Sequence, residues 1–125
     1  MYKRKIKLIF LIALAVIILV TMLSPLRRSA EHIRENMLKL TPIGMSMEDV
    51  IRTIEGNDKW EIVYINYEYG YSITGKPTVG EKSIQVLIGK YKTAFLIDTY
   101  VTVFWGFDEN TQLVDIYVDK DLNLL

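Results

Sequence analysis

Residues 8 to 23 of this chain, LIFLIALAVIILVTML, carry no charge and a single polar side chain, Thr21, and no other stretch constrains the fold so strongly. The run is Leu8, Ile9, Phe10, Leu11, Ile12, Ala13, Leu14, Ala15, Val16, Ile17, Ile18, Leu19, Val20, Thr21, Met22 and Leu23, behind a basic flank of Lys3, Arg4, Lys5 and Lys7. At about 1.5 Å of rise per residue these sixteen positions cover roughly 24 Å of a hydrocarbon core about 30 Å thick. Extending the helix from Ile6 to Leu26 brings it to roughly 31 Å, provided Lys7 snorkels and Thr21 and Ser24 bond back to helical carbonyls. The expectation is a single-pass transmembrane anchor with the lipid bilayer as its partner.

A secretory signal also begins with basic residues and an apolar run, and the cleavage site separates the two readings. Cleavage after Ser24 places bulky Met22 at the third position back, and cleavage after Ala30 places Arg28 there, where small residues are wanted. The chain has no cysteine, which excludes a lipid-modified anchor, disulfides, thiolate metal sites and thiol nucleophiles. A retained signal-anchor helix is therefore expected. Four positive side chains within the first seven residues outweigh the more scattered Arg27, Arg28, Arg34 and Lys39. That density predicts a cell-membrane location with the C-terminal part extracytoplasmic.

This divides the chain into a basic N-terminus and anchor, residues 1–29, and a domain of residues 30–125. The domain holds nine basic and fifteen acidic residues, a net of −6. Without a basic stripe it is a poor ligand for phosphate backbones, so nucleic acid is not an expected partner.

Within the domain, Ala30, Ile33, Met37 and Leu40 recur at spacings of three and four and predict a helix over about 26–39, with Ser24-Pro25 at its start. The stretch PIGMSMEDVIRTIEG predicts a second helix over 47–55: Ser46 caps it, Met47, Val50, Ile51 and Ile54 form one apolar face, and Gly56 supplies a left-handed stop. From Lys59 the period changes to two. Strands are predicted over KWEIVYINYEY, over 83–89, over about 93–107 and over 113–118, with a loop at 70–82 and turns at 89–92 and 108–111. The expected fold class is α+β: a transmembrane helix, then two helices packed on an antiparallel meander of three to four strands.

The phrase GMSMEDVIRTIEG, with Gly44, Met45, Ser46, Val50 and Gly56 at its key positions, and FDENTQLVDIYV closing the sheet resemble the SmpA/OmlA (BamE-like) family of small envelope domains over about residues 38–119. The resemblance implies helices followed by a meander. It also implies a non-catalytic interaction role in the bacterial cell envelope, with an envelope protein as partner.

The residues offer little else in the way of chemistry. His32 is the one histidine and has no second ligand for zinc. The sequence Asp119-Lys120-Asp121 opens like a calcium loop but meets Leu124 where glycine is needed, so it reads as a tail beyond the last strand. No cofactor or metal site is predicted. Asp98 interrupts the apolar run Phe95, Leu96 and Ile97 and is the candidate acid. Tyr64, Tyr67, Tyr69 and Tyr71 fall within eight residues and, with Trp105, form the candidate interaction surface. The first expectation is thus a membrane-anchored interaction module that is not an enzyme. The alternatives are a small-ligand-binding or enzymatic domain using Asp98 and the tyrosines, or an inhibitor-like domain.

Overall fold

A computed structural model describes the backbone of residues 2–22, 25–94 and 97–124, and the side chains of residues 3–17, 25–93 and 97–121. Three α-helices, α1 (Tyr2–Met22), α2 (Ala30–Leu40) and α3 (Met47–Glu55), precede four strands, β1 (Glu61–Asn66), β2 (Lys82–Ala94), β3 (Ile97–Phe107) and β4 (Leu113–Leu124). The strands form one antiparallel meander in the order β1-β2-β3-β4.

The membrane-spanning part of the expectation is corrected: among the described residues, no helix is long and apolar enough to cross a membrane. Lys3, Arg4, Lys5 and Lys7 all lie inside the first turns of α1. The uncharged remainder of that helix, residues 8–22, rises only about 22 Å against a hydrocarbon core of about 30 Å. The transmembrane element of the fold class, the single-pass signal-anchor and the cell-membrane location placed on it are corrected with it. The extension to Leu26 fails too, since Pro25–Arg27 form a separate 3-10 turn. Leu23 and Ser24 lie outside the described residues, as do Phe95 and Leu96.

The first domain helix begins later than its apolar spacing predicts. Ser29 caps α2, its hydroxyl accepting from the His32 N–H at 3.1 Å. The preceding 3-10 turn lays Leu26 against the core and Arg27 Nη2 on the Lys92 carbonyl at 2.7 Å. α3 forms over 47–55, with the Ser46 hydroxyl accepting from the Asp49 N–H at 3.1 Å. Gly56 closes it in the right-handed region (φ −70°, ψ −8°), not the left-handed one expected, and its N–H bonds back to the Arg52 carbonyl.

One face of the sheet takes both helices. Ile33 and Met37 from α2 and Met47, Val50 and Ile54 from α3 pack on Ile84, Val86, Val101, Val103, Trp105, Phe107 and Ile116. Trp105 is fully buried there; its Nε1–H donates to Thr41 Oγ1 at 3.0 Å, and the Thr41 hydroxyl donates to the Met37 carbonyl at 2.8 Å. The indole thus ties the centre of the sheet to the end of α2.

β2 runs straight through the predicted turn at 89–92. Gly89 adopts φ +151° at a bulge between Leu87 and Gly89, and a Cβ there would sit 2.7 Å from Leu26 Cδ1. The strand therefore bends under the 3-10 turn and does not reverse. The turn at 108–111 forms as its composition predicts, with Asp108 Oδ1 accepting from the N–H groups of Asn110 and Gln112, both at 2.9 Å. The α2–α3 connection is stitched to the start of β4: Gly44 N–H bonds the Leu113 carbonyl, Leu113 N–H the Met45 carbonyl and Met47 N–H the Thr111 carbonyl, each at 2.8 Å.

Candidate functional site

Asp98 sits on β3 directly across from Lys92 of β2. Its carboxylate lies 2.8 Å from Lys92 Nζ and 3.8 Å from Lys90 Nζ, with only 7 % of the side chain exposed. The Lys92 hydrogen bond, reinforced by the charges of Lys92 and Lys90, holds its carboxyl below the usual carboxylate range despite the opposing effect of burial. The aspartate lines none of the cavities described below. An ionised carboxylate locked between two ammonium groups is a poor general acid or base.

The tyrosine run is split by the end of β1. Tyr64 is half-buried and pairs across from Gln85. Asn66 then ends the strand, its side-chain oxygen accepting from the N–H groups of Glu68 at 2.9 Å and Tyr69 at 3.1 Å. This turn throws two rings outward: Tyr67 is 61 % exposed and Tyr69 67 %. Tyr67 borders a recess of about 370 Å³ with Met47, Glu48 and Ile51 at the start of α3. Val63, the bulged residue of β1, adds an exposed apolar side chain nearby in sequence.

Tyr71 goes the opposite way, at 2 % exposure. It forms an antiparallel bridge with Val79, closing a hairpin of residues 71–79 that lies on the sheet face away from the helices. Its ring centroid lies 5.8 Å from that of Phe104, which in turn lies 6.2 Å from Tyr117. The approach requires glycine at position 70, where a Cβ would fall 2.0 Å from the Val79 carbonyl oxygen. Burial pushes the Tyr71 hydroxyl well above its ordinary range, and the Asp115 charge adds to the effect. Trp105 is part of the core and of neither tyrosine group.

A second feature lies where α2 meets the outer edge of β4. Arg34 reaches across that edge, donating from Nε to the Ile116 carbonyl at 2.8 Å and from Nη2 to Asp115 Oδ1 at 2.6 Å. The Asp115 hydrogen bond raises the Arg34 pKa further. Asp115 Oδ1 also accepts from the Ile116 N–H at 2.8 Å. Beyond the pair opens a cleft of about 410 Å³ between Ala30, Glu31 and Arg34 of α2, the hairpin residues Tyr71, Ile73 and Lys76, and residues 115–118 of β4. The sequence shows Arg34 only as one charge on a solvated helix face; its partner is eighty-one residues away. His32 pairs with Arg28, Nη1 to Nε2 at 2.8 Å. Asp119 and Asp121 belong to β4 and not to a loop or tail, so the calcium-like spacing is stretched out along a strand. No group of three potential metal ligands occurs among the described residues.

No protein-family model, curated protein or solved structure matches the chain. The SmpA/OmlA resemblance gains no support from these comparisons.

Proposed function

We propose that this chain is a non-catalytic protein-interaction module that binds its partner through the surface carrying Tyr67 and Tyr69. The observation that carries this reading is the outward projection of two adjacent aromatic side chains, both more than 60 % exposed, from a turn fixed by Asn66 beside the recess at α3. Tyrosine rings supply large contact area at low conformational-entropy cost, and binding energy concentrates on such residues. Supporting the non-catalytic side of the reading, the acid that an enzymatic alternative needs, Asp98, is spent on its two lysines.

The full chain and its Tyr67→Ala/Tyr69→Ala double variant serve as paired baits in affinity capture, with circular dichroism to match their folds. A partner recovered by the native chain and lost at least about tenfold with the folded double variant supports the reading, since losing two hot-spot rings costs roughly 2 kcal/mol or more. Equal recovery by both baits overturns it.

A further inference from the structure

We propose that the outer edge of β4 from Val118 to Asp121 accepts an extended peptide strand carrying basic residues at alternate positions. The proposal rests on the reading of the chain as a binding module, but it uses the edge of the sheet opposite Tyr67 and Tyr69, so either test can fail alone.

The backbone directions come first. The N–H and C=O of Ile116 point away from β3, since Asp115 and Arg34 hold them from outside. Strand groups repeat every two residues, and no bulge interrupts β4 between Asp115 and Leu124, so those of Val118 and Lys120 also point outward. Toward the start of the strand the edge is closed. Leu113 is bonded to Gly44 and Met45, and Ile116 is covered by its two side chains. From Val118 onward the edge is open: no described residue bonds these outward groups. Val118 lines the 410 Å³ cleft, so a segment that enters it can bond these outward groups. An added strand does this for several residues at once, with backbone bonds supplying affinity and alternate side chains supplying selectivity.

The charges choose the strand. Asp119 lies on the sheet face away from the helices, beside Phe104 and Tyr117, and strand alternation puts Asp121 on the same face. Neither aspartate forms an ion pair among the described residues. Basic side chains two apart on an incoming strand would sit opposite or diagonal to both, and opposite charges across a strand pair are favourable. A second copy of this chain is the poorer occupant. The antiparallel register that uses Val118 and Lys120 of both copies sets Asp119 against Asp119, and like charges directly opposite destabilise the pair. The net charge of −6 over residues 30–125 draws in a cationic segment.

The probe is an acetylated, amidated heptapeptide of alternating threonine and lysine, added to the full chain at low salt, with amide hydrogen exchange read by NMR. Exchange at Val118 and Lys120 is expected to slow about tenfold or more, while the amides of β1 stay unchanged. Two control peptides, one with glutamate for lysine and one with every peptide nitrogen methylated, are expected to leave exchange within about twofold of the free chain. The Asp119→Lys/Asp121→Lys variant, altered only at side chains outside the core, should exchange its preference and be protected by the glutamate peptide instead. No slowing, equal slowing by the methylated peptide, or an unchanged preference in the charge-reversed variant overturns the proposal. Slowing that appears with chain concentration alone, without peptide, assigns the edge to a second copy and overturns it too.

Discussion

The two faces of the sheet are sealed by different means. Two amphipathic helices cover one with a continuous apolar layer, and at its centre Trp105 is hydrogen-bonded through Thr41 to the end of α2. The 71–79 hairpin covers the other only in part, through Tyr71 and Val79 over Gly106 and Phe104. Helices close a face with side chains fixed by long-range packing, whereas a hairpin closed on itself by the Tyr71–Val79 bridge and resting on the sheet through those two side chains can follow a change beneath it. The helix face therefore carries the stability of the domain, and the hairpin face, flanked by the β4 cleft, is the one free to adapt.

The largest test of this division is Trp105→Ala. Removing a fully buried indole is expected to cost about 3–5 kcal/mol, read as a fall in the urea midpoint. Tyr71→Ala is expected to cost less, about 1–3 kcal/mol by the same measurement, because the hairpin can settle into the space. Equal losses from the two substitutions would break the distinction between the faces. Thr41→Val removes the hydroxyl between Trp105 and Met37 and leaves a buried indole N–H without its acceptor. A loss of about 1–2 kcal/mol is expected, and a near-zero effect would show the tie to be dispensable.

The smallest expected effect is on acid stability at the far end of the β2–β3 hairpin. The pKa of Asp98 is lower in the folded chain than in the unfolded one, so its contribution is complete above about pH 4 and fades as the pH falls through the folded value. Asp98→Asn should flatten the acid limb of the stability profile measured by urea unfolding, with little change at neutral pH beyond the lost pairing. Both lysines are 59 % exposed, and their attraction is screened accordingly. An unchanged acid limb would show that the pair contributes nothing to stability.

The parts of the fold visible in the sequence are those with local causes. α3 is specified by Ser46 at its cap and by Met47, Val50 and Ile54 on one face, all within nine residues. The turn at Asp108 is likewise local. The start of α2 was displaced from Ser24-Pro25 to Ser29 because two candidate caps lie five residues apart, and packing of Leu26 on the sheet decides between them. The reversal expected at Gly89 is a bulge, since Lys90 and Lys92 look like turn residues until Asp98 is seen across from them. The tyrosine run looked uniform, and its division into outward Tyr67 and Tyr69 and inward Tyr71 depends on where the hairpin folds back. The grip of Arg34 on Asp115 and Ile116 joins opposite ends of the domain, and no spacing rule reaches so far. The anchor fails for a different reason: a full span requires one helix carried on to Leu26, and Pro25–Arg27 form a separate 3-10 turn.

The backbone bonds from Gly44, Met45 and Met47 to Thr111 and Leu113 have a consequence for synthesis. On the ribosome both short helices emerge early, yet the joint between them has no bonding partner until residues 111–113 arrive, 64 to 69 positions later. A nascent chain halted before that point already holds the β2 and β3 residues on which both helices pack, but it lacks β4 and the bonds that fix the joint between the helices, so the angle between α2 and α3 is set last.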